Sequence, residues 1–120
     1  MARILVVDDS RLVRIWCTTT LVNGGHQVVE ATDGPEAIEL FQRERPDLTL
    51  LDVSLPSLSG LAVLERLRQV DPSARVVMLT VSDEEEVGTE AARLGACALL
   101  QKPTDGERLR ATVAEALAAP

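Results

Sequence analysis

The chain has 120 residues, 46% of them apolar, and a formal net charge of −7. That length suits one domain, residues 1–120, around one core, and with Trp16 and Phe41 the only aromatic side chains the core must be aliphatic. The acidic balance argues against direct nucleic-acid binding, because phosphate backbones are repelled.

No apolar run approaches the length of a membrane span. "MARILVVDD" enters a strand directly, with no signal-peptide pattern. A cytoplasmic protein with no membrane association is expected. Cys17 and Cys97 lie far apart without metal-type spacing, and are expected to be buried free thiols in a reducing compartment.

The first strand is "ARILVV", a short continuous apolar run of the kind buried on both faces. From Ser10 the period becomes helical, with Val13, Trp16, Cys17, Thr20 and Leu21 on one stripe, and "NGG" at 23–25 stops the helix. "QVVEA" is a second strand. "DGPEAIELFQRER" is a second helix, with Pro35 in its first turn and Ala37, Ile38 and Phe41 facing inward. "LTLLD" is a third strand, "VSLPSLSG" a loop and "LAVLERLRQV" a third helix. "RVVMLT" is the fourth strand. "SDEEEVGTEAARLG" is a fourth helix with an acidic first turn, loosened by Gly88, which costs about 1 kcal/mol relative to Ala. "ALLQ" and "DGERLRATVAEAL" complete the series as fifth strand and fifth helix.

Strict alternation predicts an α/β fold with a parallel sheet covered by helices on both faces. Periodicity does not reveal strand order, but the flavodoxin-like order 2-1-3-4-5 is the common solution for five such units.

Ligands of open α/β sheets bind beyond the carboxyl ends of the strands. Asp8 and Asp9 follow the first strand, Asp52 ends the third, Thr80 ends the fourth and Lys102 follows the fifth. Each has an ordinary reading alone: a helix cap, a loop carboxylate, a strand-end hydroxyl, a surface lysine. Their convergence on one edge changes the odds. Three carboxylates in one crevice ionise together only beside a cation. Oxygen donors without His or Cys suit Mg2+ and argue against zinc. A carboxylate can also attack phosphorus to give an aspartyl phosphate, whose oxygens an ammonium and a hydroxyl would stabilise. The chain uses arginine throughout and lysine only at 102. A compact ammonium is not replaced by a planar guanidinium there.

These stretches resemble the receiver domain of two-component response regulators of the chemotaxis-regulator type. "ILVVDDS" resembles the family's first strand and acidic pair. "LLDVSLPSLSG" resembles its phosphoacceptor loop, with Asp52, Pro56 and Gly60 at family spacing. "VVMLT" ends on its switch hydroxyl, and "GACALLQKP" resembles its fifth strand and Lys-Pro. The resemblance covers the whole chain. It implies that Asp52 is the phosphoacceptor. It also implies that Asp9, Asp52 and the Ser54 carbonyl ligate Mg2+ directly and Asp8 mainly through water. Thr80 and Lys102 would contact the phosphoryl oxygens.

The resemblance further implies a phosphorylation switch rather than a turnover enzyme, one that catalyses only its own phosphorylation and dephosphorylation. The implied partners are a sensor histidine kinase or phosphotransfer protein, and an output domain or protein bound through the face of the fourth helix, fifth strand and fifth helix, with a homodimer left open. A cis Lys102–Pro103 bond is expected. Two departures stand out. Leu99 replaces the usual aromatic residue, which weakens the expected coupling to Thr80, and Val81 replaces a small residue, where it would crowd the phosphoryl site. The alternatives are a degenerate receiver used only for docking and a Mg2+-dependent phosphatase with an aspartyl nucleophile. The phosphatase usually needs D-x-D after the first strand and a substrate cap, and "VVDDSR" is not D-x-D.

Overall fold

Short apolar runs become strands and amphipathic runs become helices throughout a computed structural model that describes residues 2–81, 84–102 and 104–119. The strands are β1 (Arg3–Val7), β2 (Gln27–Ala31), β3 (Leu48–Asp52), β4 (Val76–Thr80) and β5 (Ala98–Gln101). The helices are α1 (Arg11–Asn23), α2 (Gly34–Glu44), α3 (Gly60–Val70), α4 (Glu85–Arg93) and α5 (Gly106–Ala118). All strand pairs are parallel, in the order β2-β1-β3-β4-β5. This is the expected flavodoxin-like order.

Alternate strand residues point to opposite faces, so each strand feeds two cores. Leu5, Val7, Leu51, Val76 and Met78 pack with Phe41 of α2 and Val63, Leu64 and Leu67 of α3. Ile4, Val6, Leu50, Val77 and Leu79 pack with Cys17 and Leu21 of α1 and with Leu109 and Val113 of α5. The central strands β3 and β4 are buried along their whole length, while the edge strands β2 and β5 are only partly buried. That is why β4 reads as apolar residues closed by Thr80, while β3 carries a buried Thr49 before its closing Asp52.

Helix starts are mostly capped by side chains. Ser10, Asp33, Ser59 and Asp105 accept from the amides of Val13, Glu36, Ala62 and Arg108 at the starts of α1, α2, α3 and α5. Each such cap contributes about 1 kcal/mol. The N-cap residue of α4, Glu84, makes no side-chain cap bond to its helix.

Three expectations need correction. Trp16 was expected on the inner stripe of α1 but is 38% exposed. The buried stripe is Cys17, Thr20 and Leu21, and Trp16 sits at its edge, one position before Cys17. Cys97 is exposed rather than buried, because it lies in the turn before the edge strand β5, where its amide donates to the Val76 carbonyl at 2.8 Å. The fourth helix was expected from Ser82, whereas α4 begins at Glu85; Ser82 and Asp83 lie outside the described residues, as does Pro103 and with it the expected cis bond.

Candidate functional site

The site is built where β1, β3, β4 and β5 end. The ladder between β1 and β2 is extended by one bond, from the Asp8 amide to the Ala31 carbonyl at 3.2 Å, which draws Asp8 fully into the protein. One carboxylate oxygen of Asp8 accepts the Ser10 amide at 2.8 Å, and the other accepts Lys102 Nζ at 2.8 Å. The side chain of Ser10 caps α1, so the chain turns from strand to helix directly behind the acidic pair.

Asp52 closes β3 and is also buried. Its Oδ1 accepts the Ser54 amide at 3.1 Å, and its Oδ2 lies 3.2 Å from Lys102 Nζ. The following residue is held by Val53 N–H donating to the Leu79 carbonyl at 2.8 Å. At the start of α3, a Cβ on Gly60 would lie 1.9 Å from the Asp52 carbonyl oxygen. The residue must therefore be glycine for the helix to pack this close. Thr80 is buried at the end of β4, and its carbonyl accepts the Lys102 amide at 2.6 Å.

Asp8, Asp9 and Asp52 each offer an oxygen, and these oxygens lie within 4.8 Å of one another. Asp8 and Asp52 are buried and Asp9 is exposed. Three hard carboxylate donors, one open to water, fit a divalent cation of the Mg2+ type. The sequence-expected residues Asp8, Asp9, Asp52, Thr80 and Lys102 thus share one edge, and the Ser54 amide is bonded to Asp52.

Crowding shifts the protonation equilibria. Burial pushes the Asp52 carboxyl above its ordinary value, and the nearby Asp8 charge pushes the same way, against the Ser54 amide and Lys102. For Lys102, burial pulls downward, but its bonds and charge contacts with Asp8 and Asp52 win, and the ammonium is held above its ordinary value. Cys17, beneath the site, is pushed up to about 12, first by burial and then by the Asp8 charge.

Val81 is 70% exposed. It opens onto a pocket of about 430 Å³ that it shares with Leu12, Trp16, Leu79 and Lys102. Leu99 is likewise partly exposed and meets the position where Gly88 would carry a Cβ, at 3.5 Å.

Two features escape the sequence. Leu12, Ile15 and Val22 of α1 are exposed apolar residues; their signal is only that they fall between the positions of the buried stripe. Arg14 donates to the Asp8 carbonyl at 2.8 Å and to Glu30 at 3.2 Å, contacts that no local pattern announces.

The family model of the response regulator receiver domain matches residues 4–114. The chain belongs to that family. Sporulation initiation phosphotransferase F of Bacillus subtilis (strain 168) is 34% identical over 111 residues, covering 92% of this chain and 90% of that protein. Chemotaxis protein CheY of the same organism is 32% identical over 108 residues, covering 89% and 90% respectively. A crystal structure of the CheX-CheY-BeF3-Mg+2 complex from Borrelia burgdorferi is similar with a TM-score of 0.93 and 25% identity, covering 98% of this chain and 90% of that one.

Receivers are signalling modules of two-component systems, generally not classical enzymes, and typically bind Mg2+ at an Asp cluster. They interact with histidine kinases, phosphotransfer proteins and output domains. Among the described residues of this receiver, no helix is long and apolar enough to cross a membrane.

Proposed function

We propose that the chain, residues 1–120, is a single receiver that takes a phosphoryl group onto Asp52 from a sensor histidine kinase or phosphotransfer protein, with Mg2+, and uses it as a switch. The observation that carries this reading is the meeting of three carboxylates and the one lysine at the ends of β1, β3 and β5.

The Asp52 carboxylate is the nucleophile; its Oδ1 accepts the Ser54 amide and its Oδ2 faces Lys102 Nζ. Attack on phosphorus forms the Asp52–O–P bond as the bond to the donor's leaving group breaks, so no external oxidant or reductant is needed. Asp8, Asp9 and Asp52 hold Mg2+, with the Ser54 carbonyl as a further ligand. The bound cation supplies positive charge to the phosphoryl oxygens. Lys102 Nζ, already 3.2 Å from Asp52, supplies a second positive charge. The Thr80 hydroxyl donates to a third phosphoryl oxygen. The same cluster also serves hydrolysis, in which water attacks phosphorus, the Asp52–O–P bond breaks and inorganic phosphate leaves, so the receiver catalyses its own phosphorylation and dephosphorylation.

The output follows from β4 and β5. A phosphoryl group on Asp52 draws Thr80, and the chain after it leads into α4. The face of α4, β5 and α5 then changes its affinity for an output domain or protein, as any ligand shifts a two-state equilibrium only through differential affinity. With Leu99 in place of an aromatic side chain, more of the response passes to α4.

The test is formation of a beryllofluoride adduct, followed by fluorine NMR. Wild type should show a bound signal only when Mg2+ is present, and Asp52→Asn should show none. A bound signal of equal size in Asp52→Asn would remove Asp52 from its role, and the docking-module reading would replace this one.

A further inference from the structure

Every polar group of Asp8 has a partner. Its amide and both carboxylate oxygens are bonded to Ala31, Ser10 and Lys102. Its carbonyl oxygen, which belongs to the peptide linking Asp8 to Asp9, accepts Arg14 Nη1 at 2.8 Å. The same guanidinium donates through Nε to Glu30 Oε1 at 3.2 Å, and the other Glu30 oxygen accepts the Thr18 hydroxyl at 3.1 Å. Arg14 is well covered, with its side chain 14% exposed. One residue of α1 therefore ties the end of β1 to β2, using atoms that would not touch a cation.

We propose that Arg14 is a positioning residue for the Mg2+ site, and that by bridging the Asp8 carbonyl and Glu30 it fixes the peptide plane that carries the acidic pair. Asp9 is exposed, so its direction is set by its backbone rather than by packing. Rotation of the Asp8–Asp9 peptide would swing the Asp9 carboxylate away from Asp8 and Asp52. A planar fork suits two acceptors held at different angles, whereas an ammonium carries the same charge without the fork. Groups that orient metal ligands from behind are worth about 10–100-fold in metal affinity.

The inference rests on the reading of Asp8, Asp9 and Asp52 as the Mg2+ site. Charge and geometry pull in opposite directions, which makes them separable. If Arg14 acted only through its charge, removing it would tighten cation binding. If it acts by position, removing it weakens binding, and Arg14→Lys, with unchanged charge, weakens binding too.

Calorimetric titration with MgCl2 should show Arg14→Lys and Arg14→Ala binding about tenfold more weakly than wild type, with Glu30→Gln between. Amide exchange should accelerate at Ser10, while the core amides of Leu50 and Leu79 keep their protection. Wild-type affinity in Arg14→Lys, tighter binding in Arg14→Ala, or equal loss of protection at Ser10 and in the core would each overturn the positioning role. Absence of Mg2+ binding by wild type itself would instead overturn the site reading on which it rests.

Discussion

The two halves of the crevice are held in different ways. On the side of β1 and β3, Asp8 and Asp52 are buried, their carboxylates are bonded by backbone amides, and Gly60 lets α3 press against the Asp52 carbonyl. On the side of β4 and β5, Val81 and Leu99 are exposed, α4 lacks a side-chain cap, and Gly88 interrupts its helix-forming run. Lys102 spans the two, leaving β5 to reach both carboxylates. The contrast teaches that the half at β1 and β3 is built for fixed geometry, while the half at β4, β5 and α4 is held less tightly. Regions that move in switching are drawn from the less stable parts of a fold.

The largest effect is expected where the fixed half is tightest. Gly60→Ala would place a methyl carbon 1.9 Å from a backbone oxygen that cannot yield without moving Asp52. A loss of about 3 kcal/mol or more in urea unfolding is expected, at the upper end for overpacking. A variant as stable as wild type would show that α3 does not brace Asp52.

Next comes the bridge between the halves. Lys102→Met leaves Asp8 buried beside Asp52 with no cation. Breaking a fully buried pair costs about 3–5 kcal/mol, and for this partly buried ammonium a loss of about 2–3 kcal/mol is expected. Mg2+ should restore part of it. Because the folded Lys102 pKa is raised, its stabilisation is complete below the unfolded lysine pKa and is lost only as pH rises through the higher folded value. The stability gap between wild type and Lys102→Met should therefore persist through neutral pH and close only in strong alkali.

The less tightly held half predicts the opposite sign for a glycine. At Gly88 a Cβ would meet only Leu99 Cδ2 at 3.5 Å, an ordinary contact. Gly88→Ala should stabilise the protein by about 1 kcal/mol, and amide exchange in α4 should slow. Destabilisation would mean that α4 is as tightly fitted as α3.

The smallest effect concerns the thiols. Cys17 is buried beside the site and pushed up to about 12, whereas Cys97 is exposed. Native protein at mildly alkaline pH should alkylate at Cys97 alone. Labelling of Cys17 at a similar rate would show that α1 opens readily over the crevice.

Much of this contrast was legible before any coordinates. A parallel sheet sends every strand's carboxyl end to one edge, so Asp8, Asp9, Asp52, Thr80 and Lys102 could be gathered from their places in the alternation alone. The continuous apolar run "ARILVV" marked β1, which is buried from Ile4 to Val7. What stayed hidden depends on how closely a strand end and the helix after it are folded together. Nothing near Arg14 signals its bond to the Asp8 carbonyl, and the spacing of Gly60 from Asp52 marked the loop but not how closely the two backbones approach. Trp16 and Cys97 were misplaced for a related reason. An aromatic ring next to a buried stripe and a thiol before an edge strand look apolar in sequence, yet their exposure is decided by what packs over them.

The central claim is that Asp52 is the phosphoryl acceptor, and intact-mass measurement after incubation with acetyl phosphate and Mg2+ tests it most directly. Wild type should gain the mass of one phosphoryl group, and the gain should vanish with a chelator and in Asp52→Asn. Equal labelling of wild type and Asp52→Asn, or labelling of wild type that is indifferent to Mg2+, would contradict the account.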